Sequence, residues 1–247
     1  MYKLFFSLLL AMCIFIVGCQ KGSSPLQSTD AFAKTDESES QGEIIDKFIF
    51  LGESTTYHLK SRGVLSGGTQ TTQVWAPKSG TLMLDASTAY CRIVYPETNE
   101  EIDLGEALAR KKPRYILLTF GLNGAAKSVS KGSAYFKSCY SKLISAINSA
   151  SPDTTVILQS CFPIGKDMDM SAHSVDAGTL NGYIDTLNGW TRELAEELSI
   201  LYLNTAEKLK DGEGFLRPEY QTEDGYHLTK AAYVEILKYI RTYMQGE

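Results

Sequence analysis

Four short apolar runs constrain what this chain can fold into more than any other feature. Residues 44–51, 114–120, 155–159 and 200–203 are of strand length and almost continuous in large apolar side chains. A strand covered on both faces reads in this way, and its alternation with helical patterns requires mostly parallel strands joined by crossovers. Two further short strands are expected at 71–75 and 81–85, on either side of a turn at 77–80, while the segment up to Pro96 shows no clear pattern. Helical spacing predicts helices over 55–62 (closed by Gly63), 99–111 (broken by Pro113), 132–148 and 178–198, with a last one capped by Thr229. The expected architecture is an α/β three-layer α/β/α sandwich around a mostly parallel five-stranded sheet.

In such a sheet, function collects at the carboxyl ends of the strands. The first run stops at Gly52-Glu53-Ser54, which presents Ser54 at the mouth of the sheet as a candidate nucleophile. A serine hydroxyl needs a base within hydrogen-bond reach and a third group to orient that base. Glu223-Asp224-Gly225-Tyr226-His227, just ahead of the last helix, offers both on one loop. The run at 114–120 stops at Gly121-Leu122-Asn123-Gly124, on the same edge as Ser54. His58 lies four residues after Ser54, where a helix is expected to turn it away from the site or into packing. His173 sits in a polar, solvated stretch.

Gly52-Glu53-Ser54, Gly121-Leu122-Asn123 and Asp224-Gly225-Tyr226-His227, in that order over residues 44–247, resemble the spaced blocks of the SGNH/GDSL hydrolases. The resemblance implies a flavodoxin-like SGNH fold and a catalytic triad of Ser54, His227 and Asp224, with Asp224 preferred to Glu223 for its spacing to the histidine. It also implies an oxyanion hole formed by the Ser54 N–H, the Asn123 side chain and a glycine N–H. Gly80 is chosen for the last, with Gly67 and Gly68 as alternatives. Two residues depart from the family's pattern: Glu53 replaces an aspartate, and Gly124 stands where an aspartate is common. The longer Glu53 is expected to change how the nucleophile loop is braced, and the loss of the second acid to loosen the Asn123 turn.

Ahead of the domain, residues 4–17 form an apolar run shorter than a membrane span. The run leads into Ile16-Val17-Gly18-Cys19, which resembles a lipoprotein cleavage site. A signal peptide over 1–18, lipidation of Cys19, and a polar tether over 19–43 are expected, which would anchor the domain to a membrane on its extracytoplasmic face. Without the leader the net charge is −6, which argues against nucleic acid as a partner. Cys91, Cys139 and Cys161 fit neither a disulfide framework nor a zinc site, and the mechanism that the resemblance implies calls for no metal or cofactor. Trp75 and Trp190 are read as core residues rather than a sugar platform.

Together, the residues and the resemblance imply a serine esterase that works through an acyl-enzyme; by analogy, the expected substrate is a small ester or acylated glycan, with deacetylation favoured. Acyl transfer to a sugar hydroxyl by the same triad, or a silent glycan-binding protein, are the alternatives.

Overall fold

The computed structural model describes residues 43–171 and 174–246; the leader, Cys19, the tether up to residue 42 and His173 lie outside them. The elements run in the order α1 (Glu43–Asp46), β1 (Phe48–Gly52), α2 (Ser54–Ser61), β2 (Val74–Trp75), β3 (Arg92–Val94), β4 (Glu101–Asp103), α3 (Leu104–Lys111), β5 (Tyr115–Thr119), α4 (Ala125–Lys131), α5 (Ser133–Ala150), β6 (Thr155–Gln159), α6 (Ala177–Leu198), β7 (Leu201–Leu203) and α7 (Lys230–Gln245). Five strands form one parallel sheet in the order β2-β1-β5-β6-β7. Its two faces are packed by separate apolar clusters. Ile49, Leu51, Ile116, Leu118, Val156 and Leu158 meet side chains of α3, α5 and α6, whereas Phe48, Phe50, Leu117 and Ile157 meet α1, α2 and α7. This is the expected three-layer sandwich.

The pattern in β1, β5 and β6 follows from burial on both faces: every residue of β1 and β5 is buried. Ile44 and Ile45, expected to begin the first strand, instead form a turn of helix packed under α7, where both are almost fully buried. Residues 99–103 belong to no helix. Glu101–Asp103 pairs antiparallel with Arg92–Val94, and Asn99 takes a left-handed conformation (φ 57°) in the turn between them. The predicted strand at 81–85 is a loop. Trp75 is core, and Trp190 packs on Phe136 with ring centroids 6.0 Å apart.

Gly52 ends β1 where the sheet opens onto the site, and its role is close approach rather than an unusual dihedral. A methyl group there would lie 2.3 Å from the Thr119 carbonyl oxygen and 2.4 Å from the Thr56 hydroxyl. Gly52→Ala therefore forces β1 and β5 apart at their carboxyl ends. Destabilisation of about 1–3 kcal/mol in urea unfolding is the expected result.

Candidate active site

Three loops at the carboxyl edge of the sheet converge on Ser54. The hydroxyl is the first side chain of α2, so its backbone N–H stands in the first turn, where a helix offers no carbonyl partner. Its Oγ lies 3.2 Å from Nε2 of His227, and Nδ1 of His227 lies 2.7 Å from Oδ2 of Asp224. With Nδ1–H donating to the carboxylate, Nε2 is left to accept from the serine hydroxyl; the network assigns this tautomer.

Asp224 is held as firmly as it holds. Its Oδ1 accepts the N–H groups of Tyr226 and His227, both at 2.9 Å, and the Thr222 hydroxyl at 2.8 Å. Burial alone would raise its pKa, but these donors and the imidazole outweigh burial and hold the carboxyl well below the usual range. Glu223 is exposed. The loop closes on itself through the Thr222 N–H to His227 carbonyl bond (2.9 Å) and is tied down by the Thr229 N–H to Tyr220 carbonyl bond (2.9 Å).

Glu53 has a larger part than its place beside the nucleophile suggested. It is 1% exposed, and its carboxylate crosses to the turn after β5. Oε1 accepts the N–H of Gly121 (3.1 Å) and of Asn123 (3.0 Å), while Oε2 accepts that of Leu122 (3.0 Å). Burial pushes its pKa up to about 7, although the three amides favour the charged form. The turn expected to be loose for want of an aspartate at Gly124 is clamped by Glu53 instead.

The donors expected for an oxyanion are differently placed. The Gly80 N–H is used within its own turn, donating to the Pro77 carbonyl at 2.9 Å, so it is not offered to a substrate. The Gly68 N–H is likewise committed, to the Leu65 carbonyl at 2.9 Å. Asn123 Nδ2 donates to the Thr81 hydroxyl (2.9 Å) and to the Leu82 carbonyl (3.0 Å), which pins the 79–83 loop beside the site. This is why 81–85 is not a strand: its partner is a side chain of another loop.

His58 also departs from expectation. Residues four apart share a helix face, so α2 directs His58 to the same side as Ser54, and its ring meets that of His227 with centroids 4.2 Å apart. Tyr226 meets the same imidazole at 3.9 Å. Burial, then the neighbouring His227 and Arg62, lower the His58 pKa. The i, i+4 spacing was the signal that could have found it. The cysteines stand apart from this chemistry: Cys91, Cys139 and Cys161 are free thiols, and burial raises the pKa of Cys91 to about 11 and that of Cys161 well above its ordinary value.

No curated protein matches this chain. Among solved structures it is similar to a GDSL-like lipase from Bacteroides thetaiotaomicron, at 15% identity over 84% of this chain and 92% of that one, with a TM-score of 0.52. The periplasmic domain of a lipopolysaccharide acetyltransferase from Salmonella ser. Paratyphi A is similar at 15% identity, over 81% of this chain and 84% of that one, with a TM-score of 0.53. Such likeness speaks for the fold. The sequence model of the GDSL-like lipase/acylhydrolase family matches residues 50–234. The chain belongs to the GDSL-like lipase/acylhydrolase family.

Proposed function

We propose that this chain is a serine esterase acting through an acyl-enzyme, and that it removes acyl groups, acetyl first among them, from a carbohydrate or cell-envelope ester. The observation that carries the proposal is the unbroken line Ser54 Oγ, His227 Nε2, His227 Nδ1, Asp224 Oδ2, with successive contacts of 3.2 and 2.7 Å. In this reading His227 takes the serine proton as Oγ bonds to the ester carbonyl carbon. The carbonyl oxygen, now negative, meets the Ser54 N–H, and Asn123 turns one amide hydrogen from the loop toward it; such bonds often tighten only in the loaded site. When the ester C–O bond breaks, His227 returns the proton to the leaving alcohol. Water then repeats the sequence, losing its proton to His227, and releases the acid and the free serine. Asp224, kept ionised by its donors, stabilises the imidazolium formed in each half.

The leader and Cys19 belong to the same proposal. A lipid on that thiol, with the polar tether behind it, would place the enzyme at the extracytoplasmic face of a membrane, within reach of envelope polymers.

The test is release of nitrophenol from 4-nitrophenyl acetate, with the fate of the acetyl group followed in the presence and absence of an acceptor sugar. Nitrophenol release with free acetate is the expected result. An acetylated acceptor in place of acetate would overturn hydrolysis in favour of transfer by the same residues, and no release above buffer would overturn the enzyme reading.

A further inference from the structure

Ser54, His58 and Arg62 follow one another at four-residue intervals along one face of α2 and its C-cap. Beside them, a cleft of about 610 Å³ is lined by His58, Arg62, Gln221, Glu223, Asp224 and His227. The Arg62 Nε donates to the Leu228 carbonyl at 3.3 Å, which fixes the plane of the guanidinium, and among the described residues no ion pair within 4.0 Å uses its remaining donors. Two carboxylates line the same cleft as this half-buried arginine. Here one of those, Asp224, is consumed by His227, Thr222 and two backbone N–H groups, and the other, Glu223, stands exposed at the rim.

The direction of the chemistry decides what part of the substrate reaches this cleft. His227 must hand its proton to the leaving oxygen, so the alcohol half of the ester lies on the His227 side, and His227 forms a wall of the cleft. The Cα atoms of Ser54 and Arg62 are roughly 12 Å apart along the helix. Side chains on a helix lean toward its N-terminus, which brings the guanidinium back toward the nucleophile. The span from the reacting carbonyl to the guanidinium fork, lined by the His58 and His227 rings, is on the order of one sugar ring.

Resting on the esterase reading, we propose that the cleft takes the alcohol portion of an acidic glycan ester, and that Arg62 binds a carboxylate on the sugar that bears the acyl group. The planar fork of Arg62 matches a carboxylate bidentately. Two carboxylates oppose the anion: Glu223 weakly, because solvent screens an exposed charge, and the ionised Asp224, whose charge is largely taken up by its backbone, Thr222 and imidazole donors. Arg62 is thus the residue that selects uronic-type sugars over neutral ones.

The experiment compares acetylated methyl glucuronoside with acetylated methyl glucoside, which differ only in a carboxylate against a hydroxymethyl group. The quantity read is the ratio of kcat/KM for the acid to that for the neutral ester, in which any general loss of folded enzyme cancels. A ratio of about 10 is expected in the parent at low salt, falling to about 1 in Arg62→Gln and in the parent at high salt. Glu223→Gln should move the ratio the other way, upward by about twofold. A parent ratio near 1, or a ratio unchanged in Arg62→Gln, would overturn the inference. If the parent hydrolyses neither ester, its turnover of 4-nitrophenyl acetate decides the esterase reading, and binding of methyl glucuronoside followed by calorimetry decides the subsite separately. Binding lost in Arg62→Gln would keep it, and no binding to the parent would end it.

Discussion

Ser54→Ala and His227→Ala each reduce kcat for 4-nitrophenyl acetate by roughly 10⁶-fold, and Asp224→Asn by roughly 10⁴-fold, if the three groups act as a unit like the serine hydrolases from which these magnitudes come. The double variant Ser54→Ala, His227→Ala should be no worse than either single one, since removing the nucleophile leaves the base nothing to activate. Asp224 needs a second measurement. Its carboxylate also accepts two backbone N–H groups and the Thr222 hydroxyl, so its replacement disturbs the loop as well as the imidazole. Thermal unfolding separates the two effects, because Ser54→Ala removes only the 3.2 Å contact to His227 and leaves the loop's own hydrogen bonds in place. Its unfolding should match the parent. A Ser54→Ala protein that keeps its turnover would exclude Ser54 as nucleophile.

The parts of the fold that were legible in the sequence are those in which a segment's own burial dictates its conformation. β5 and β6 lie between two layers of helices, so their apolar runs have no other use, and their ends were readable to within a residue. Residues 99–103 misled because Ile102 and Leu104 also fit the apolar side of a helix. What makes Glu101–Asp103 a strand is its pairing with Arg92–Val94 across a turn at Asn99, and no local spacing expresses that. The same holds in the site. Asp224 and His227 are three residues apart and belong to one self-bonded loop, so their partnership could be read directly. Asn123 and the 79–83 loop are about forty residues apart, and only the folded chain shows that both amide hydrogens of Asn123 support that loop. That the Gly80 N–H closes the turn that places the loop was hidden for a related reason.

Glu53 lay furthest from view, because its three partners are 68 to 70 residues away, and it carries the second large expected effect. In Glu53→Gln the carboxamide can accept at most two of the three N–H groups and turns its own N–H toward the third. A buried amide facing a donor costs about 1–3 kcal/mol and moves the Gly121–Asn123 turn. A displacement on the order of 1 Å at a catalytic loop is worth about 10² in rate, so kcat should fall by about that factor with the triad intact. The pH dependence of stability supplies a signature that simple loosening would not. The folded carboxyl holds its proton up to about pH 7, and the ordinary value is 4.5. Its contribution to stability is therefore complete below pH 4.5 and is lost as the pH rises to 7, a change of about 3 kcal/mol. The groups facing it, Tyr140 from α5 and Cys161 after β6, have raised pKa values and stay neutral through this window. The acids held below their usual range, Asp224, Asp85, Glu97 and Asp176, act at lower pH and alike in both proteins. The gap in unfolding free energy between Glu53→Gln and the parent should accordingly shift by about 3 kcal/mol in favour of the variant between pH 4.5 and about pH 8. A gap that stays constant across that range would mean the parent folds with Glu53 already ionised at acid pH. The three amides would then outweigh burial, and the clamp on the Asn123 turn would hold at every pH at which the enzyme works.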